Sequence, residues 1–208
     1  MPRPRRSAVL TAFRTSALLD AARRVFGKSG FEAATIAEIA REAGVAKGTV
    51  YLYYRSKRSI YWAALREGIA ELDARTRKRV RRAATLHDAI REFILTKVEY
   101  FDERRDFFRI YVQELSGQAV RPQFGHADFK PLYQRQLRGL QTAVTAAIDR
   151  GEIRRVDASR AAGAIVDLTR GVVSRRLMRR RRARAAAEVD AVVDLIWRGL
   201  ASKGSLKR

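Results

Sequence analysis

The sequence predicts an all-helical fold, with a small three-helix domain at the N-terminus and a larger helical domain after it. Two observations carry this. Residues that interrupt helices are scarce: the 208-residue chain has Pro only at positions 2, 4, 122 and 131 and no Asn. The good helix formers Ala, Arg, Leu and Glu dominate. Apolar residues also recur at helical spacing, and alternation of period two is nowhere sustained. A hydrophobic content of 47% suits a folded globule, so high charge does not imply disorder here.

The elements follow in chain order. Residues 1–12 are a basic arm, polar over residues 1–8. From about Arg14, Leu18, Ala21, Ala22, Val25 and Phe26 fall on one helix face, and Lys28-Ser29-Gly30 ends that helix. Thr35-Ile36-Ala37-Glu38 is a capping box, in which the Thr hydroxyl and the Glu carboxylate each satisfy an orphan amide. Its short helix turns Ile36, Ile39 and Ala40 inward and stops before Gly44. A second short helix runs from Ala46 to Tyr53. Ser56 is the natural N-cap of a long helix to about Arg79, with Ile60, Ala63, Ala64, Ile69 and Leu72 as apolar positions. Thr85 caps a helix to about Arg104, and another covers Asp106–Ser116. Gly117–Pro122 is a loop, and a further helix runs from about Asp128 to Arg150. A turn at Gly151 precedes a helix capped by Asp157 and reaching about Arg180, and Ala185–Leu200 is the last.

Thr35 to Tyr54 are thus two short helices joined by a turn centred on Gly44. This is the pattern of a helix-turn-helix, whose second helix enters the major groove while the first crosses the backbone. Gly44 supplies the freedom that the sharp turn needs. Ala40 and Val45 let the helices approach.

The surrounding residues sharpen this. The runs Ala17–Phe26, Gly30-Phe31, Thr35-Ile36, Ile39-Ala40, Ala43-Gly44-Val45, Gly48-Thr49-Val50-Tyr51 and Tyr53-Tyr54 with Lys57 resemble the DNA-binding domain of the tetracycline-repressor (TetR) family of bacterial regulators, without a gap from about Arg14 to Tyr61. Two positions depart from the family: Arg58 stands where an acidic residue is usual, and Tyr54 where Phe is commoner. The resemblance implies a helix-turn-helix DNA-binding domain over residues 13–60 and a helical effector-binding and dimerisation domain over 61–208. It also implies contacts to double-stranded DNA at a palindromic operator. Lys47 can donate to guanine O6 or N7, and Gly48 permits close approach. Thr49, Tyr51, Tyr53 and Lys57 suit phosphate oxygens, and Thr35 caps a helix whose N-terminus can hold a phosphate. For Val50 packing is the preferred reading. Arg3, Arg5 and Arg6 either reach a minor groove or are a solvated tail.

Beyond about residue 65 the resemblance fades. Aromatic residues cluster between positions 93 and 133. Phe93, Tyr100, Phe101, Phe108, Tyr111, Phe129 and Tyr133 are candidates for lining a small-molecule effector pocket, with plain core as the alternative. Phe107 and Phe124 belong to the same cluster. Gln113, Glu114, Arg109 and His126 are polar candidates beside it. The last two helices are rich in Ala, and the resemblance implies that they pair in a homodimer. Ile196 and Trp197 near the chain end favour that over intramolecular packing. A two-fold dimer would set its recognition helices about 34–36 Å apart, or a multiple.

Charge and composition bound the rest. The net charge is +22, with 36 Arg among the 44 basic residues. Residues 1–60 carry a net +8, so the excess is denser there but not confined to it. Arg75–Arg82 and Arg175–Arg184 are dense basic runs, read as solvated helix ends or as sites for DNA or an anionic effector. The absence of Cys excludes a disulfide scaffold and thiol chemistry. With only His87 and His126, and with no phosphate loop, metal-spaced carboxylate set or Ser nucleophile motif, neither an enzyme, a cofactor nor a metal is expected. No apolar run reaches the ~20 residues of a membrane span, and no signal peptide is read, so a cytoplasmic protein is expected. The function expected is a sequence-specific transcriptional regulator, a repressor released by a small, largely apolar effector. The alternatives are a nonspecific architectural binder of nucleic acid and an activator.

Overall fold

In the computed structural model, backbone is described for residues 6–117, 126–178 and 184–201, and side chains for 14–112, 134–178 and 184–201. Those residues form helices α1 (Arg6–Ala33), α2 (Ile36–Glu42), α3 (Lys47–Tyr53), α4 (Lys57–Val80), α5 (Leu86–Glu103), α6 (Arg105–Gly117), α7 (His126–Asp149), α8 (Ala158–Met178) and α9 (Ala185–Leu200). The caps are chemical. Ser56 Oγ accepts from the Ser59 amide, and Ser59 Oγ accepts from the Ser56 amide, both at 3.1 Å. Thr85 Oγ1 accepts from Asp88 N at 3.1 Å, and Asp157 Oδ1 accepts from Ser159 N and Arg160 N. Each satisfies an amide that the first helical turn leaves without an acceptor.

The chain differs from its sequence reading at the start. The helix expected from Arg14 begins at Arg6, so residues 6–12 are helical rather than part of an arm. After Pro4 neither Pro nor Gly intervenes before Gly27, and the helix turns only at Gly30, where φ is 77°. The helix therefore propagates backward through Ala8, Leu10 and Ala12. Arg3 and Arg5 lie outside the described residues, as does the side chain of Arg6.

Two compact units result: residues 1–69 with 104–126, and residues 70–103 with 127–208. The second segment of the first unit breaks the simple division at residue 60. α6 packs on α1; Phe107 is buried there, Arg109 Nη1 donates to the Gly27 carbonyl at 3.3 Å, and Arg104 reaches Asp20 at 3.3 Å. The first unit's core includes Leu18, Ala22, Phe26, Ile39, Val50, Ile60 and Leu65. Arg23 is buried in it, donating to Asp20, Glu67 and the Ala64 carbonyl. Burial pushes the Asp20 carboxyl up, but Arg23 and Arg104 hold it below its ordinary value.

In the second unit α5 is the central helix, with Leu86, Ile90, Phe93, Ile94, Val98, Tyr100 and Phe101 buried against α8, α9 and neighbouring segments. Glu152 accepts from the Leu86 amide at 2.7 Å. Arg176 on α8 is buried between Asp102 (2.8 Å) and Glu188 (2.9 Å), tying α5, α8 and α9 together.

Candidate nucleic-acid interface

The turn between α2 and α3 is built by backbone bonds. Gly44 N donates to Arg41 O at 3.1 Å and Val45 N to Ala40 O at 2.9 Å, with Gly44 at φ 68°. This is a Schellman closure, and its left-handed residue favours Gly. The capping box at the head of α2 is complete: Thr35 Oγ1 accepts from Glu38 N (3.2 Å), and Glu38 Oε2 accepts from Thr35 N (2.8 Å). The Thr35 amide holds the exposed Glu38 carboxyl below its usual pKa. Ile36, Ile39 and Ala40 of α2 and Val50 of α3 are buried. The preferred packing of Val50 is what the fold contains.

At 100° per residue, α3 divides into two faces. Lys47, Gly48, Tyr51 and Leu52 share the outer one and are exposed. Thr49, Val50 and Tyr53 share the inner one, with Thr49 and Tyr53 half-buried. The predicted DNA-contact set therefore separates: Lys47, Gly48 and Tyr51 stand on one surface, and Thr49 and Tyr53 at its edge. Leu52, at 84% exposed, lies outside the set that the sequence indicates. A leucine in an apolar-looking run reads as core until the helix phase is fixed. The Thr35 hydroxyl is engaged in its capping box and also donates to Glu38 Oε2 at 2.9 Å. Lys57 donates to the Glu32 carbonyl at 2.9 Å, 4.8 Å from the Phe31 ring centroid. The nearby Tyr54 is half-buried, and its phenol pKa is raised by burial and by Glu67.

The aromatic set predicted for the effector pocket is divided. Phe93, Tyr100 and Phe101 are buried in the second unit, where Tyr100 Oη donates to Glu71 Oε2 at 3.1 Å. Phe108 and Tyr111 belong to the first unit and are half-buried; the Tyr111 ring lies 6.2 Å from that of Phe107. Phe124 lies outside the described residues, and the side chains of Gln113, Glu114, His126, Phe129 and Tyr133 outside the described side chains. Ile196 and Trp197, read as favouring a dimer, pack within the protomer. Ile196 is buried, and the Trp197 ring meets His87 edge-on at 5.2 Å.

A short helix with an exposed outer face, presented by a glycine turn against a capped helix, is the geometry of a helix-turn-helix. Residues 18–64 match the family model for bacterial regulatory proteins of the tetR family. The match is confined to the N-terminal helices. Among its relatives, the fatty acid metabolism regulator protein of Bacillus subtilis is 30% identical over 73 residues, 35% of this chain and 38% of that protein. The transcriptional repressor KstR2 of Mycobacterium tuberculosis is 27% identical over 124 residues, 60% and 62% of the two chains. The chain thus spans less than two thirds of the length of these curated relatives. Solved structures share the fold more fully. The regulator FadR of Bacillus subtilis with stearoyl-CoA superposes at TM-score 0.75 and 22% identity over 87% of this chain and 96% of that one. A regulator from Saccharomonospora viridis with choline superposes at 0.79 and 18% over 92% and 100%. Among the described residues no helix is long and apolar enough to cross a membrane.

Proposed function

We propose that the protein is a homodimeric, cytoplasmic repressor that binds a palindromic operator and leaves it when a small, largely apolar effector binds the second unit. The observation that carries this is the outer face of α3, where Lys47, Gly48, Tyr51 and Leu52 are exposed together. Lys47 would donate to guanine, Gly48 would admit the DNA edge, and Tyr51 would bond a phosphate. Leu52 would meet a thymine methyl. Thr49, Tyr53, Lys57 and the N-terminus of α2 at Thr35 would hold flanking phosphates. The wall of the effector site would include Phe93, Tyr100 and Phe101. One structural relative holds stearoyl-CoA and another choline, so the shared fold does not choose the ligand. That choice falls to this chain's own side chains. Footprinting on DNA upstream of its own gene tests the reading. A protected palindrome lost in Lys47→Ala and Tyr51→Phe is expected. Equal affinity for all duplexes would instead favour the nonspecific binder that the +22 charge suggests. Transcription that falls when the gene is deleted would mark an activator.

A further inference from the structure

A lysine is seldom buried unless it is paired, because removing an ammonium from water is costly. Lys97, midway along α5, is 5% exposed. Its Nζ donates to Gln136 Oε1 on α7 at 2.9 Å and lies 4.6 Å from the centroid of the Phe93 ring. Both partners are neutral. Among the described residues the buried acid of this unit, Asp73 on α4, is taken by two arginines, with Arg135 Nη2 at 2.7 Å and Arg77 Nε at 3.2 Å. Asp73 draws on Lys97 only through space, and Arg170 on α8 repels it. Three cations therefore gather about one carboxylate, and the ammonium retains N–H groups beyond the one spent on Gln136. Around it α5 is apolar: Phe93, Ile94 and Phe101 are all buried.

We propose that Lys97 anchors the acidic head of the effector, a monocarboxylate with an apolar body. The proposal rests on the reading of the second unit as the effector-binding unit. A carboxylate would accept the remaining N–H groups of Lys97 and supply the negative charge that the cluster lacks. A neutral effector would leave the ammonium's burial uncompensated. A quaternary ammonium would meet repulsion from Lys97, Arg135 and Arg170.

The test uses the whole chain and three chain-matched probes: decanoate, decan-1-ol and decyltrimethylammonium, titrated calorimetrically. Decanoate should bind at least tenfold more tightly than decan-1-ol, and the trimethylammonium compound most weakly. In Lys97→Met the decanoate preference should fall to about one while decan-1-ol affinity is kept, and Lys97→Arg should keep the preference. Wild type that binds neither decanoate nor decan-1-ol, or binds them equally, overturns the anchor. A preference that survives in Lys97→Met does the same. Anisotropy titration of the wild type with upstream DNA is read separately. Absent operator binding sinks the regulator reading, whereas intact operator binding without a decanoate preference sinks the anchor alone.

Discussion

At Lys97, burial pulls the ammonium's pKa down to about 8 from an ordinary 10.5, with Asp73 opposing the shift and Arg170 adding to it. Between those two values the unfolded chain holds a proton that the folded chain has released. Stability from this group therefore rises with pH across the window, and the burial cost is full below about 8. The whole swing is at most about 3 kcal/mol. Lys97→Met should be more stable than wild type at pH 7, and the gap should narrow between pH 8 and 10.5 in urea titrations. A gap that does not change with pH would show that the ammonium is better solvated than its burial implies. A different residue-scale outcome is expected at Thr35. Its hydroxyl accepts from Glu38 N and its amide donates to the Glu38 carboxylate. Thr35→Ala should cost about 1 kcal/mol, read as a lower melting temperature, and Thr35→Ser should recover most of it.

α6 is where elements meet most tightly. A Cβ added at Gly68 would lie 2.5 Å from the Phe107 ring, and one at Gly27 would collide with Asp106. Gly68→Ala should destabilise by about 1–3 kcal/mol through overpacking, measured by chemical denaturation. Trimming the ring in a Gly68→Ala, Phe107→Leu double variant should restore part of the loss, and simple additivity of the two changes would mean that the contact is not the cause. This seat was illegible in the sequence, since nothing in the spacing of Gly27, Gly68 and Phe107 says that they adjoin. The helix-turn-helix was legible because everything it needs is local: a capping box over four residues, a glycine turn and two short helices. The same holds for the caps at Ser56, Thr85 and Asp157. The burial of Arg23, Lys97 and Arg176 is not legible in the sequence because their partners lie up to 74 residues away, and charge patterning assigns such residues to solvent by default. The start of α1 differs from the sequence reading for a local reason, since good helix formers follow Pro4.

Across the whole molecule, the +22 charge divides into structural and uncompensated parts. In the first basic run Arg75 pairs with Glu71 and Glu103, Arg77 with Asp73, and Arg79 with Glu99. Lys78, Arg81 and Arg82 are exposed and line, with Arg77, a groove of about 390 Å³. In the second run Arg176 is a buried tie rather than a surface charge. A chain so cationic repels its own copies, so self-association needs an apolar surface to overcome that repulsion. The last two helices carry the elements of one. On α8 the positions Ala161, Ala164, Leu168 and Gly171 fall at helical spacing, with Leu168 49% exposed. On α9 Ala187, Ala191 and Leu195 recur every fourth residue, with Leu195 72% exposed. Small residues let helices approach, and the exposed leucines would supply the apolar anchors, in place of the Ile196 and Trp197 that the sequence suggested. Leu168→Glu with Leu195→Glu should therefore give a monomer at micromolar concentration in sedimentation, with helicity unchanged because both side chains face solvent. Operator affinity should fall at least tenfold, since a single recognition helix loses the second half-site. The slope of binding against salt should flatten as half of the phosphate contacts disappear. A double variant that still sediments as a dimer would move the interface away from α8 and α9. A monomeric variant with undiminished affinity would mean that one protomer reads the operator alone.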